Sequence, residues 1–434
     1  MMKKTYYLHS YGCQMNLADS GVLSAALEAA GYASVAEPEK AGVIILNTCS
    51  VREKAEERAL GRLRELAHLK RNGDVSLCAI GCMAQRLGPR LIEQIPEIDF
   101  VLGTERLFQL PALLAVKNGA PVVDTATATD PAWAEFPPAP DNPYSGHVII
   151  TRGCNNYCAY CIVPYLRGPE RHRSPQAICR DVAHLAAQGV TEITLVGQNV
   201  NSYRWDGLDF AGLIRKAAAE TGIQRIRFIT SHPKDLSDSL VRLFAEEPKL
   251  MGHVHLPLQS GSDRILALMS RGYTLEHYRR RVELLRQARP DIAVTTDLIV
   301  GFPTETEEEY LATLEAVRMV AFDAAFMFRY SVREGTWAAK NLADTIPEEI
   351  KLARLTRLIA LQKETSYAVN QREVGRVKSV LIDGVSRRDS AVWKGKTEGN
   401  KTILVSSAAD LLGRIIPIRV TRADSWTLHG EPAA

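Results

Sequence analysis

A chain of 434 residues is too long for one ordinary domain, so roughly two or three are expected. Its 46% hydrophobic and 24% charged residues are an ordinary globular balance, and a net charge of +3 argues against a whole surface built for polyanions. No stretch within Met1–Cys13 is apolar enough for a signal peptide, and no run approaches the roughly 20 apolar residues that span a bilayer. A cytoplasmic protein with no membrane partner is therefore expected, and there the eight cysteines should be metal ligands or buried thiols rather than disulfides.

Over residues 1–124 the chain alternates strand and helix. Apolar strands are predicted at Thr5–His9, Val43–Leu46, Ser76–Ile80 and Phe100–Leu102, with helices Ser20–Ala30, Arg52–Lys70 and Arg90–Gln94 between them. Such alternation predicts an N-terminal parallel α/β sheet domain. Residues 125–143 carry five prolines among Ala, Asp and Thr and read as a linker. Over residues 144–370 the alternation resumes with strands at Val148–Thr151, Glu192–Val196, Arg225–Ile229, Val254–Pro257, Val294–Val300 and Ala324–Tyr330. Helices such as Gln176–Gln188, Leu208–Glu220 and Glu305–Val320 separate them, and a helical run, Pro347–Asn370, follows. Six βα units with right-handed crossovers curl into a partial (βα)6 barrel whose loops gather at the strands' carboxyl ends. Residues 371–434 read as a small all-β domain with strands Gly375–Asp383, Lys401–Ser406 and Arg414–Thr421. Their 11 Lys/Arg against 7 Asp/Glu fit either a polyanion-binding module or a solvated surface.

Cys154, Cys158 and Cys161 form a C-x3-C-x2-C motif just after a strand. Such a trio can hold three irons of a 4Fe–4S cluster and leave the fourth open to a small chelator with an amine and a carboxylate. The alternative is a structural zinc site completed by His172 or Cys179, but structural zinc ligands usually arrive as two pairs. The stretch Thr151-Arg-Gly-Cys-Asn-Asn-Tyr-Cys-Ala-Tyr-Cys-Ile-Val-Pro-Tyr-Leu-Arg-Gly-Pro-Glu-Arg171 resembles the radical-SAM signature of the methylthiotransferases, down to the aromatic Tyr160 before the third cysteine. The resemblance implies that Cys154, Cys158 and Cys161 hold the catalytic cluster. That cluster would cleave S-adenosyl-L-methionine to a 5′-deoxyadenosyl radical able to take hydrogen from an unactivated carbon.

A second trio shares one structural address. Cys13, Cys49 and Cys82 each follow a predicted strand, so a parallel sheet would bring all three to its carboxyl edge, where ligands bind. Bystander thiols would be expected inside strands, as Cys78 is, or in a helix, as Cys179 is, and both of these read as packed thiols. In the methylthiotransferases three such cysteines hold an auxiliary 4Fe–4S cluster, which carries the sulfur that is methylated and inserted.

The resemblance spans Tyr11 to Glu431 and is greatest to the tRNA-2-methylthio-N6-dimethylallyladenosine synthase (MiaB) family. It rests on Gly12-Cys-Gln-Met-Asn16, Asn47-Thr-Cys-Ser-Val-Arg-Glu-Lys-Ala55, Gly197-Gln-Asn-Val-Asn-Ser-Tyr203, Thr230-Ser-His-Pro-Lys-Asp235 and His255-Leu-Pro-Leu-Gln-Ser-Gly-Ser-Asp263. The ribosomal-protein and threonylcarbamoyladenosine branches carry Pro-Lys and Arg-Val where this chain has Gln14-Met15. The tail resembles a TRAM barrel, which implies RNA contacts; Arg376, Lys378, Arg387, Arg388, Lys394 and Lys396 are the candidates for phosphate. Trp393 could stack on a base or pack the barrel.

The family reaction implies two 4Fe–4S clusters and two molecules of S-adenosyl-L-methionine, acting on N6-isopentenyladenosine of a tRNA anticodon stem-loop. It also requires a reducing electron donor and a sulfur donor, and the chain is expected to act as a monomer. Gly197, Gln198, Ser231, Gln259, Ser260 and Gly301, all in loops at barrel-strand ends, are candidates for binding S-adenosyl-L-methionine. Arg329 could face its carboxylate or form a salt bridge. Glu305, Glu307, Glu308 and Glu309 are expected to open a helix, where acids favour the dipole. His232, His253 and His255 are expected to be structural. Two other readings stay open: one keeps the two-cluster methylthiotransferase chemistry but acts on a protein or another modified adenosine, and the other is a non-enzymatic metal-containing RNA-binding protein.

Overall fold

A computed structural model of the chain describes residues 4–50, 53–71, 75–116, 119–127 and 136–433. The first sheet is wholly parallel, in the order Ala33–Ser34, Thr5–Ser10, Val43–Thr48, Ser76–Gly81, Phe100–Leu102, Val122–Asp124. Every residue of Val43–Thr48 and Ser76–Gly81 is buried, which explains their near-continuous apolar character: helices cover both faces. Gln14–Ala29 packs against one face through Met15, Val22, Leu23 and Leu27. Glu53–Arg71 supplies Ala59, Leu63 and Leu66 to the other. The first helix starts six residues earlier than Ser20, because Asn16 and Asp19 read as polar yet are fully buried. Arg52, the expected start of the second, and residues 128–135 of the predicted linker lie outside the described residues. The end of that linker lies against the first helix, with Phe136 on its core and Ala139 N–H donating to the Gly21 carbonyl at 3.4 Å.

In the middle of the chain, Ser145–Ile149, Glu192–Val196 and Arg225–Phe228 form one parallel run, and His253–His255, Ala293–Val300 and Ala324–Arg329 a second. A parallel bridge between Ile226 and Leu250 joins them into the partial barrel that the alternation predicts. The predicted strand Val148–Thr151 is divided. Its main part ends at Ile149, and Thr151–Arg152 pairs antiparallel with Arg171–His172, fastening the base of the cysteine loop. The helix expected from Glu305 begins at Glu307, because Thr306 caps it in a reciprocal box with Glu309.

Glu348–Gln371 runs along the Ala324–Arg329 strand to the tail, a closed barrel of Val377–Val385, Val392–Thr397, Thr402–Ser406, Thr427–Pro432 and Ile415–Ala423. Two of its strands, VWKGKT and TLHGEP, were not expected, since barrel strands bury only alternate positions and these carry little apolar signal. Arg227 fixes this barrel to the larger one, donating to the Thr397 carbonyl at 2.7 Å and to the Glu398 carbonyl at 2.9 Å. Among the described residues no helix is long and apolar enough to cross a membrane.

Candidate active site

The C-x3-C-x2-C loop is held from several sides. Gly153 N–H donates to Gln198 Oε1 at 2.6 Å, Cys154 N–H to the Gly168 carbonyl at 3.2 Å and Ala159 N–H to the Met269 carbonyl at 3.0 Å. Cys154 and Cys158 are buried and Cys161 is half-buried. Burial pushes the Cys154 thiol up, and burial together with Cys158 pushes Cys161 up to about 12. A bound iron centre would supply the positive charge that favours their thiolate forms. Arg271 Nη1 donates to Cys158 Sγ at 3.2 Å, while its Nε and Nη2 bond the Tyr273 hydroxyl and the Pro257 carbonyl, each at 3.0 Å.

Beside Cys161 opens a cavity of about 510 Å³. Its walls are Tyr160, Ile162, Asp297, Ile299, Met327, Phe328, Leu352 and Leu355, with Lys54 of the N-terminal domain. Of the residues proposed for S-adenosyl-L-methionine, Gln259 and Arg329 line this cavity. Gln259 has φ +73°, and its buried Oε1 has no hydrogen-bond partner among the described residues. Arg329 Nη1 lies 3.2 Å from Glu348 Oε2. Gln198 and Gly197 brace the cysteine loop instead: a side chain at Gly197 would strike Thr151. Ser231 is buried, with its Oγ unpartnered among the described residues. Ser260 Oγ accepts from Ser262 N–H at 3.2 Å, and Gly301 N–H donates to Glu305 Oε2 at 2.7 Å, so both are engaged within the protein.

Cys13, Cys49 and Cys82 follow three neighbouring strands of the first sheet. Cys13 is the N-cap of the first helix, Cys82 opens the Cys82–Leu87 helix, and Cys49 is buried between them in sequence order. Gly12 has φ +118°, and a Cβ there would stand 2.8 Å from Cys49 Sγ, so only glycine lets the two loops close on each other. A pair of asparagines ties these loops together. Asn16 Nδ2 donates to the Tyr11 carbonyl at 2.9 Å and the Thr48 carbonyl at 3.0 Å, and Asn47 Nδ2 donates to the Asn16 carbonyl at 2.8 Å. Burial pushes the Cys82 thiol up, against the opposing pull of Arg167. Among the described residues no three His, Cys, Asp or Glu side chains form a ready-made cage for one metal ion. A cluster instead takes one thiolate per iron, and the all-thiol donor sets fit it.

The two trios approach each other. Cys82 packs with Ile162 and Leu166, and Ile162 is the residue after Cys161. His172 bonds Glu170 at 2.7 Å, and Cys179 sits in a hydrophobic core. Cys78 is fully buried in its strand. His232 accepts from Lys234 N–H at 3.3 Å, His253 lies 2.9 Å from Thr295 Oγ1 and His255 3.4 Å from Asp297. Glu307 and Glu309 pair with Arg354 and Arg264, whereas Glu305 is buried against Arg354 at 2.8 Å.

In the tail, Arg376, Arg387 and Arg388 are exposed, and Lys394 lies 3.4 Å from Asp383. Lys378 is held by Glu373 at 2.8 Å, and Lys396 donates to Thr402 Oγ1 at 3.0 Å. Trp393 Nε1 donates to the Ala409 carbonyl at 3.0 Å and its ring packs on the barrel core. The exposed aromatic of this barrel is Trp426, which sequence reasoning passed over.

Sequence reasoning also missed Asp19, Arg152, Arg167 and Arg271, the buried charges around both trios. Arg152 and Arg167 lie inside the quoted signature stretch, a signal that could have marked them; Arg271 has none.

Residues 5–103 match the uncharacterized protein family UPF0004, residues 148–317 the Radical SAM superfamily and residues 371–433 the TRAM domain. The fold is similar to that of the radical S-adenosylmethionine methyltransferase TsrM from Kitasatospora setae, with a TM-score of 0.57 at 16% identity over 75% of this chain and 72% of that one. The likeness is one of fold. The chain is 45% identical to the tRNA-2-methylthio-N(6)-dimethylallyladenosine synthase of Moorella thermoacetica over 99% of its own length and 98% of the relative's. It is 43% identical to the synthase of the same name from Dictyoglomus thermophilum over 98% of both chains. On that near-full-length identity, the chain belongs to the tRNA-2-methylthio-N(6)-dimethylallyladenosine synthase family of radical SAM methylthiotransferases.

Proposed function

We propose that the protein converts N6-isopentenyladenosine next to the anticodon of tRNA to its 2-methylthio derivative, using two 4Fe–4S clusters and two molecules of S-adenosyl-L-methionine. The observation that supports the reading is the buried cluster of Cys82 with Ile162 and Leu166, which brings the N-terminal sheet edge against the segment that follows Cys161. Cys154, Cys158 and Cys161 would hold the cluster that supplies the electron for cleaving S-adenosyl-L-methionine to the hydrogen-abstracting radical, and Cys13, Cys49 and Cys82 would hold the cluster that supplies the sulfur.

The protein's own residues do the rest. Ile162, Met327, Phe328 and Leu355 give the cavity apolar walls, which suit a reactive carbon that must be shielded from solvent. Gln259, Asp297 and Arg329 offer polar groups to orient S-adenosyl-L-methionine and the base, and Lys54 meets them from the N-terminal domain. The adenine has to leave its stack to enter, at lower cost from an anticodon loop than from a duplex. Arg376, Arg387, Arg388 and Lys394 suit the phosphates of that stem-loop, positioning it without reading its sequence. We assign residues 1–124 to the auxiliary-cluster domain, 125–143 to a linker, 144–370 to the radical SAM domain and 371–434 to the TRAM domain.

The test is nucleoside analysis of tRNA from bacteria lacking the modification and supplied with this chain. Appearance of 2-methylthio-N6-isopentenyladenosine, absent with Cys13→Ala or Cys154→Ala, is expected. Unchanged N6-isopentenyladenosine despite full expression of the native chain would contradict the reading.

A further inference from the structure

One buried acid joins the two halves of the site. Asp19 lies six residues after Cys13, within the Gln14–Ala29 helix, and is fully buried. Arg152, two residues before Cys154, donates to its Oδ1, and Arg167 Nη2 donates to its Oδ2 at 3.0 Å. Arg167 ends the short Val163–Arg167 helix that follows Cys161. The neighbouring acid Glu105 pairs with Arg171 at 2.5 Å and lies near Arg152. The second edge of Arg167 is different: its Nη1 is buried and has no hydrogen-bond partner among the described residues.

That edge belongs to the neighbourhood of the auxiliary trio. Arg167 Nη2 also donates to Asn16 Oδ1 at 3.2 Å, the oxygen that accepts from Cys13 Sγ at 3.6 Å. Leu166, the preceding residue, packs on Cys82. Burial pulls the Arg167 guanidinium down, yet Cys82, Asp19 and Cys13 outweigh it and hold it above its ordinary range. A buried cationic donor left open is costly unless an anion faces it, and a thiolate-ligated cluster is such an anion.

We infer that Arg167 is a positioning residue for the auxiliary centre: anchored by Asp19, it donates an N–H···S hydrogen bond to the cluster held by Cys13, Cys49 and Cys82. The Asp19–Arg167 pair would thereby couple that centre to the loop bearing the other trio. Hydrogen bonds to the sulfurs are among the factors that set a cluster's potential, and partners outside the ligand set tune it. The inference rests on the two-cluster reading.

The test uses the full-length chain with Cys154, Cys158 and Cys161 all changed to Ala, so that only the auxiliary centre contributes iron, reconstituted anaerobically. Its midpoint potential is followed by electron paramagnetic resonance during a redox titration. Arg167→Met should shift the midpoint lower than in this parent, and Arg167→Lys should restore part of the shift. In the otherwise native chain, Arg167→Met should lower the ratio of methylthiolated nucleoside to 5′-deoxyadenosine about tenfold. Where Arg167→Met fails to hold iron, the Arg167→Lys midpoint decides: lower than the parent supports the inference, and equal to it overturns it. An unchanged midpoint in an iron-replete Arg167→Met protein likewise overturns it. A parent that binds no iron overturns the two-cluster reading itself, and the inference with it.

Discussion

Arg271 is a buried cation whose value lies in what would be stranded without it. Its three donor atoms serve a thiol, a tyrosine hydroxyl and a proline carbonyl, and the thiol is 113 residues away in sequence. Arg271→Leu should destabilise the apo protein by about 1–3 kcal/mol, the cost of leaving buried polar partners unsatisfied. A denaturant midpoint checks this; a midpoint equal to the native protein's would show that those partners are satisfied otherwise. The contrast with the cysteines explains what was legible at this scale. Cys13, Cys49 and Cys82 stand at strand ends in the structure, as their settings in the sequence predict, because a strand and its terminal loop are local features. Asp19 and Arg271 carry no local pattern, and Arg152 and Arg167 only their place in the signature stretch, since each finds its partners through tertiary contacts.

At the scale of elements, the Glu307–Val320 helix shows a start set by side-chain chemistry rather than by the run of acids. Thr306 accepts from Glu309 N–H at 3.3 Å, while Glu309 Oε2 accepts from Thr306 N–H at 2.9 Å. Thr306→Ala should cost about 1 kcal/mol. Arg264 chiefly holds the Glu309 carboxyl down to about 2 from its usual 4.5. A depressed acid stabilises the fold above its ordinary pKa and loses that contribution as pH falls through the folded value. The stability difference between the native protein and Glu309→Gln should therefore be full at pH 7 and close between about 4.5 and 2. Urea denaturation across that range measures it, and a gap that persists at the acid end would assign the effect to something other than ionisation. Elements with continuous apolar runs, such as Val43–Thr48, were legible, whereas Val392–Thr397 was not, because half of a barrel strand faces outward. The split after Ile149 was also hidden: Thr151 and Arg152 leave the barrel sheet only because Arg171–His172 offers them a different partner.

For the whole molecule, the decisive feature is how closely its parts are joined. Asp19 meets Arg152 and Arg167 across the boundary between the first two domains, and Arg227 holds the C-terminal barrel against the middle one. The cavity beside Cys161 is accordingly walled from both sides, by Lys54 and by the barrel strands. The alternation of strands and helices made the first two bodies readable in the sequence, and a run of strands the third, but not the buried ion pairs that fasten them. The central claim is that this joined site adds a methylthio group to an anticodon-loop adenine, and its most direct test is a single mass-spectrometric assay. Anaerobically reconstituted protein is given reductant, S-adenosyl-L-methionine and an anticodon stem-loop carrying N6-isopentenyladenosine, and 5′-deoxyadenosine and the nucleoside are measured together. Both 5′-deoxyadenosine and the 2-methylthio nucleoside should form, and Cys154→Ala should abolish both. Neither product from protein with both clusters verified, or 5′-deoxyadenosine beside an unaltered nucleoside, would contradict it.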